Sequence, residues 1–571
     1  MKKISLIFGA LLLGAFTFSS CTDMLEKEPL DEFTNNPDFW NNESSIEGYA
    51  AAFYNQFTGY GTSGSGDFYF PSPSDNQAGA TFQNWKYVNI PAANSSWSAT
   101  YTEIRRSNVM IQSIESYATS LDDATKNHWL GVARLMRAYQ YWDLVRKFGD
   151  CVWVDKPLDV NSPELYVARN DRDEVMDKVL EDLDFAVKNI NESSSKTTWS
   201  RAMAQAMKAR ICLWEGTFRK YRNEQENGKA PDAAGATRFL EACVEACEAI
   251  MPGFSLCTNY QSLYNSIDLS ANPEIIFCKA YQKDVMGHST INYLCTSTEQ
   301  NGMSKDAFDS YLKLDGTLPV DGVDDVAKLE LSANDGQMHL NIKDILDNRD
   351  KRLAMQIDTV LCYGNRGWMR LPGGMAMTSS TGYSICKFDN LDMEKDYREN
   401  NSKNYTWAPL FWLAEVYLNF AEAKAELGTI TNDDLNNSIN LLKDRAGLPH
   451  ITTTPADLGD NDMGVSPLIW EIRRERRCEL MFDNDFRYWD LIRWHQLDKL
   501  DTTKNPEIVQ GANVTNDANI SECGRDVVAG NYLDASNGMS RTYEYKHYLF
   551  PIPSGQITLN PDLGQNPGWT E

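Results

Sequence analysis

Apolar residues recurring at three- and four-residue steps constrain this chain more than any other feature. Leu135, Tyr139 and Trp142 fall on one face of a helix, and Leu413, Val416, Tyr417, Phe420 and Ala421 on one face of another, because an α-helix turns once in about 3.6 residues. The same spacing predicts amphipathic helices over 97–118, 124–148, 171–190, 201–222, 234–251, 304–314, 408–427, 432–446, 467–483 and 486–498. Several of these are joined by short breaks and read as pairs.

The run Leu413 to Tyr417, followed by Ala421 and Gly428, echoes the first helix of a tetratricopeptide unit, where small residues let paired helices approach. Such units stack into an α-solenoid. The fold expected is therefore mainly α, a tetratricopeptide-like solenoid with long irregular loops and a few short strands forming a ligand-binding half. Those loops fall near 58–96, 253–303 and 355–406, rich in Gly, Ser, Asn, Pro and aromatics, and loops that long usually carry function. No low-complexity linker divides the chain, so residues 21–571 are expected to form a single domain.

The 54 Lys and Arg against 80 Asp and Glu give a formal net charge of −26, which repels phosphate backbones and argues against a nucleic-acid partner. The 12 cysteines leave 11 once Cys21 is set aside, an odd number with no disulfide framework. Cys243 and Cys247 stand one helical turn apart, but none of the six histidines sits at ligand spacing from them. The acidic stretches Asp321 to Asp325 and Asp457 to Asp462 do not follow EF-hand spacing. No metal or cofactor is expected, and no hydrolase, metalloprotease or phosphate-loop motif appears. The chain reads as a binding protein and not as an enzyme.

At the N-terminus, Lys2 and Lys3 precede an apolar run from Ile4 to Phe18, then Ser19, Ser20 and Cys21. This is the pattern of a signal peptide over 1–20, shorter than the roughly 20 apolar residues that span a bilayer. Cys21 is then the expected lipid anchor, with Phe18 where such signals usually carry Leu. Several acyl chains on one cysteine hold a protein durably where a single chain does not.

Blocks along the chain resemble the SusD/RagB outer-membrane lipoproteins of the Bacteroidetes. Trp97 through Asn108, Arg134 through Tyr141 leading to Phe148-Gly149-Asp150, Ala206 through Leu213, Pro273 through Phe277, Leu413 through Ala423 and Arg445 through Leu448 follow the family's order. The ending is the most specific part: Ile472 through Leu480, Arg487 through Trp494, Pro551-Ile552-Pro553 and Gln565 through Gly568. Departures occur at Val152, where Pro is common, and at Asp483-Asn484-Asp485. The resemblance implies a tetratricopeptide-like fold with an inserted ligand-binding half. It also implies an outer-membrane, cell-surface location and a SusC-like TonB-dependent barrel, which receives oligosaccharide or, in some relatives, peptide.

Sugar rings have apolar faces and hydroxyl edges, so they favour flat aromatics with Asp, Asn, Gln or Arg beside them. Asp75, Trp85, Tyr87, Tyr293 and Trp368, all from the irregular stretches or their borders, are the expected oligosaccharide contacts. The basic run Arg473, Arg474, Arg476 and Arg477 is expected to pair structurally with Glu475, Glu479, Asp483 and Asp490.

Overall fold

The computed structural model describes residues 36–62, 68, 72–296 and 301–570. The Cys21 anchor and its signal peptide lie outside the described residues. Ten helices of eight or more residues are present among those described: α1 Glu43–Ala50, α2 Ser95–Tyr117, α3 Asp123–Phe148, α4 Arg172–Asn189, α5 Arg201–Tyr221, α6 Ala233–Ile250, α7 Leu413–Glu426, α8 Ile439–Ala446, α9 Pro467–Glu479 and α10 Phe486–Arg493. None is long and apolar enough to cross a membrane.

Helices α2 to α6 start where a side chain can close them. Asn94, Asp122, Asp171, Ser200 and Asp232 each accept a hydrogen bond from a first-turn N–H, satisfying donors that the helix itself leaves open. Consecutive helices then pack: α2 on α3, α3 on α4, α5 on α6, with α7 against α6 and α9 against α7. Gly216 of α5 sets one of these distances, since a Cβ there would lie 2.7 Å from Leu240 of α6. The result is the expected tetratricopeptide-like helical fold.

One apolar core runs from Trp40 to Leu563 and includes residues of every helix named above. The strands are short and pair antiparallel: Gln77–Gly79 with Asn301–Met303, Ile275–Lys279 with Ala408–Trp412, Lys328–Leu331 with Met338–Asn341. The 408–427 helix therefore begins at Leu413; residues 408–412 form a fully buried strand instead. Likewise the 304–314 helix shrinks to Lys305–Asp309, and the 432–446 helix breaks at Asn437 and Ser438. The helix expected over 486–498 stops at Arg493, because His495 adopts φ 53°, a conformation no α-helix continues through. All 11 described cysteines are buried free thiols.

The basic helix α9 is buried along most of its length. Its charges pair structurally, as expected, but mostly with other partners than those anticipated. Arg476 does reach Asp490, at 2.8 Å. Arg473 meets Glu426, Arg474 meets Glu471 and Asp460, and Arg477 meets Asp306 and Asp75. Glu475 and Glu479 instead hold Arg352, Lys443 and Arg445, and Asp483 holds Lys387.

Candidate functional site: a charged cleft over one helix face

Three of the five expected contact residues are turned inward. Asp75 is fully buried, and its carboxylate accepts from Arg487 Nε at 2.9 Å and Nη2 at 2.7 Å. Burial alone would raise its pKa, but Arg477 and Arg487 outweigh that and hold the carboxyl well below the usual carboxylate range. Trp85 is 8 % exposed, stacks on His547 at 4.1 Å and donates its indole N–H to the Thr542 carbonyl at 2.8 Å. Trp368 lies in a small core with Val360, Cys362 and Met377, its indole N–H on Ser332. Both indoles are thus buried and the Asp75 carboxylate is engaged by Arg477 and Arg487, so the structure presents none of the three at an open surface.

Tyr87 and Tyr293 remain half-exposed. The Tyr87 hydroxyl accepts from Asn94 at 2.8 Å, and its ring stands edge-on to Phe550 at 5.0 Å. Tyr293 belongs to the short helix Thr290–Leu294. Trp85 and Tyr87 are brought together against 542–550, whereas Asp75 packs under α9 and α10 and Trp368 beside 332.

Above Asp75 the structure forms a cleft of about 230 Å³ that the loop-based reading missed. Its floor is one face of α9. Trp470, Arg473, Arg474 and Arg477 stand at i, i+3, i+4 and i+7 and all line it, as residues on a shared helix face must. Ser466 caps this helix, accepting from the Ile469 N–H, and Pro467 supplies its first turn. Asp75 fixes the floor from beneath, since it engages both Arg477 and Arg487, which line the cleft.

The walls alternate donors and acceptors. Asp460 accepts from the Trp470 indole at 3.1 Å and from Arg474 at 2.7 Å. Lys499 pairs with Asp462, and Asp306 with Arg477 at 2.5 Å. Burial raises the Asp309 carboxyl to about 6, despite Lys305 at 2.6 Å. Leu318 and Pro319 supply an apolar side opposite these groups. Carboxylates and guanidinium groups that nearly balance in charge, set beside an indole, suit a neutral polyhydroxylated ligand better than an ion. The signal in the sequence was Trp470 at helical spacing from the arginines.

A larger groove of about 580 Å³ beside α2 sets Ile104, Val152, Leu158 and Leu559 among the rings of Trp97, Tyr101 and Tyr166 and the polar side chains of Arg105, Asn108 and Gln556. Among the described residues no group of three or more His, Cys, Asp or Glu is arranged to hold a metal ion.

Comparison with known proteins defines the class first: the fold is that of SusD-like helical proteins. The model of the SusD family matches residues 273–569, and a second, described as starch-binding associating with outer membrane, matches 30–213. The chain belongs to the SusD family. A SusD-like protein of Formosa agariphila is 24 % identical over 532 residues, covering 86 % of this chain and 91 % of that protein. A SusD-like protein of Bacteroides ovatus is 26 % identical over 266 residues, covering 44 % of this chain and 45 % of its own length. Among solved structures, a SusD-like carbohydrate-binding protein of Bacteroides fragilis superposes with a TM-score of 0.68 at 19 % identity, covering 92 % of this chain and 99 % of the other. A second SusD-like protein of that organism gives 0.67 at 21 %, covering 95 % and 100 %.

Proposed function

We propose that this protein captures neutral oligosaccharide at the outer face of the outer membrane, without cleaving it. It then hands the ligand to a SusC-like TonB-dependent barrel. The observation that carries this reading is the SusD family match over 273–569, the part of the chain that contains α9 and its cleft. The carbohydrate-binding neighbour of Bacteroides fragilis supports the ligand class, and the second family description supports the location. Lipidation of Cys21 supplies the anchor. Tethering keeps a modest-affinity face at high effective concentration beside its barrel.

Within this reading Trp470 stacks on a pyranose while Asp309, Asp460 and Lys499 meet its hydroxyls, and Tyr87 and Tyr293 serve longer chains. Calorimetry against a panel of neutral oligosaccharides tests the ligand, and co-purification from the native membrane tests the barrel. Trp470→Ala is expected to weaken the glycan that binds by about thirtyfold, as loss of a stacking contact of about 2 kcal/mol implies. Binding of a peptide library with no glycan response would overturn the ligand class in favour of peptide cargo. Response to neither, with the barrel still co-purifying, would leave a structural lid.

A further inference from the structure

The groove beside α2 shares no residue with the α9 cleft. Trp97, Tyr101, Arg105 and Asn108 line it at i, i+4, i+8 and i+11, as residues on one helix face must. Val152, Val154, Lys156 and Leu158 line it at every second position, the period of an extended segment turned one way. Tyr101 fixes that segment alongside α2, since its hydroxyl accepts from the Val152 N–H at 2.9 Å and donates to the Val152 carbonyl at 3.1 Å. Asn108 donates to the Val154 carbonyl at 2.9 Å. Tyr166 and Leu559 stand at the rim, 63 % and 71 % exposed.

Two donors on the α2 face are left over. Trp97 is only 5 % exposed, yet its indole N–H meets no acceptor among the described residues, and unlike those of Trp142 and Trp214 it is open to solvent. Native interiors seldom leave such a donor unmet. Arg105 gives one N–H to the Leu158 carbonyl and pairs with no carboxylate among the described residues. Starting eight residues apart, these two donors stand about 12 Å apart along the helix axis.

Most acceptors in the groove are already engaged. Lys156 holds Glu164 at 2.6 Å, Arg137 holds the Asn108 amide oxygen at 3.0 Å, and the Asp562 N–H holds that of Asn560 at 3.2 Å. Asp155 and Asp159 lie outside the lining and bear on Lys156. The Gln556 amide and the Tyr166 hydroxyl stay free to serve either way. A sugar's hydroxyls need acceptors as well as donors, whereas a carboxylate or an ether oxygen only accepts. Between the two donors, Ile104, Leu158 and Leu559 with the Tyr166 ring favour an apolar, flat body.

We propose that this groove binds an amphipathic aromatic acid with an acceptor at each end. Its carboxylate sits on Arg105, its ring lies against Tyr166, Leu158 and Leu559, and a second oxygen at the far end accepts from the Trp97 N–H. The test is calorimetry of the full chain with para-methoxycinnamate, with cinnamate, which lacks the far oxygen, and with para-methoxycinnamyl alcohol, which lacks the acid. Saturable binding is expected, tightest for para-methoxycinnamate.

Arg105→Gln should weaken para-methoxycinnamate about tenfold, the worth of one charge-assisted hydrogen bond, and leave the alcohol unchanged. Arg105→Lys keeps the charge and should keep most of the binding. Trp97→Phe retains a ring beside Tyr101 and Phe148, which lie 5.4 and 5.1 Å from the indole, so its melting reports an intact fold. It should weaken para-methoxycinnamate about fivefold and leave cinnamate unchanged. No saturable heat, equal affinity for all three ligands, or losses in the variants that do not follow the missing oxygen would overturn the proposal. Displacement of para-methoxycinnamate by a neutral oligosaccharide would overturn it too, assigning the groove to glycan.

Discussion

Helices α2 to α6 are held in place by stripes of Leu, Val, Met, Ala and Trp that are fully buried or nearly so, with a few buried ion pairs such as Arg172 with Glu215, whereas the segments between 350 and 400 add to core residues such as Leu353, Ile357, Ile385 and Phe388 a dense set of buried ion pairs. Arg352 meets Asp350, Glu475 and Glu479; Arg370 meets Asp358 and Asp389; Arg398 meets Asp389; and Lys387 meets Asp483. A buried ion pair contributes little net stability, since desolvation offsets its attraction, but removing one partner strands the other. The difference teaches that the irregular half adds to its apolar contacts a set of geometrically specific contacts on α9 and its continuation to Asp483, while the helical half relies more on distributed apolar area.

The largest effect should come from breaking that placement. Glu479 is fully buried and receives Arg352 at 2.7 Å and Arg445 at 2.5 Å. Glu479→Ala is expected to cost about 4–5 kcal/mol, the upper end for one stranded partner, read as a lowered urea midpoint. Local proteolysis should appear within 350–400 before it appears in α3 or α5. Uniform loss across both halves would erase the distinction.

Acid should separate the regions next. Glu422 of α7 accepts from Arg493 and from the Trp494 indole; burial opposes its charge, but Arg493 prevails and holds its pKa at about 2. A depressed carboxyl stabilises the fold above its unfolded pKa, and that stability is lost as pH falls from about 4.5 through 2. Asp483 is the reverse, since burial raises it to about 6 against the pull of Lys387. The folded state then binds its proton more tightly than the unfolded state does, so this group favours folding as pH falls from about 6 to 4. Urea titrations at pH 7, 5 and 3 should therefore show a gain of about 1 kcal/mol from pH 7 to 5, carried by Asp483, and little change from this pair between pH 5 and 3, where a loss of about 2 kcal/mol at Glu422 offsets the further gain at Asp483. A monotonic decline beginning at pH 7 would contradict it.

The two indoles Trp470 and Trp85 sharpen the comparison at the site. Trp470→Ala should cost about 2 kcal/mol in glycan affinity with little change in melting. Trp85→Phe should do the opposite, losing the bond to Thr542 and part of the stack on His547 for about 1–2 kcal/mol of stability with affinity unchanged. Equal binding losses in both would return Trp85 to the ligand surface.

That reversal also marks what was legible in the sequence. A 3.6-residue pattern reports which side of a helix faces inward, so Trp142 and Tyr417 could be placed from neighbouring residues alone. Ring-rich loops carry no such local signal. Trp85 is covered by His547 and Thr542, and Asp75 by Arg487, each more than 400 positions away. The order of the family blocks gave the fold without giving those contacts. Trp470 was overlooked because the arginines of α9 were weighed only as ion pairs, although their spacing put them and the indole on one face.

The smallest effect lies at the helix ends. Every helix from α2 to α6 has an N-cap side chain bonded to its first turn, while the short helices at Ser262–Asn265, Thr290–Leu294, Lys343–Leu346, Leu353–Gln356 and Lys395–Glu399 have none. A short helix gains little from its own hydrogen bonds and persists because tertiary contacts hold it, so capping is worth most where the helix continues for several turns. Asp122 accepts from the Thr125 N–H at 2.8 Å at the start of the 26-residue α3. Asp122→Ala should cost about 1 kcal/mol, visible as a melting shift of a degree or two and as faster amide exchange in the first turn of α3. Glu394→Ala, at the uncapped start of Lys395–Glu399, should leave both unchanged. It removes only an exposed pair with Lys283, a class of contact worth little in water.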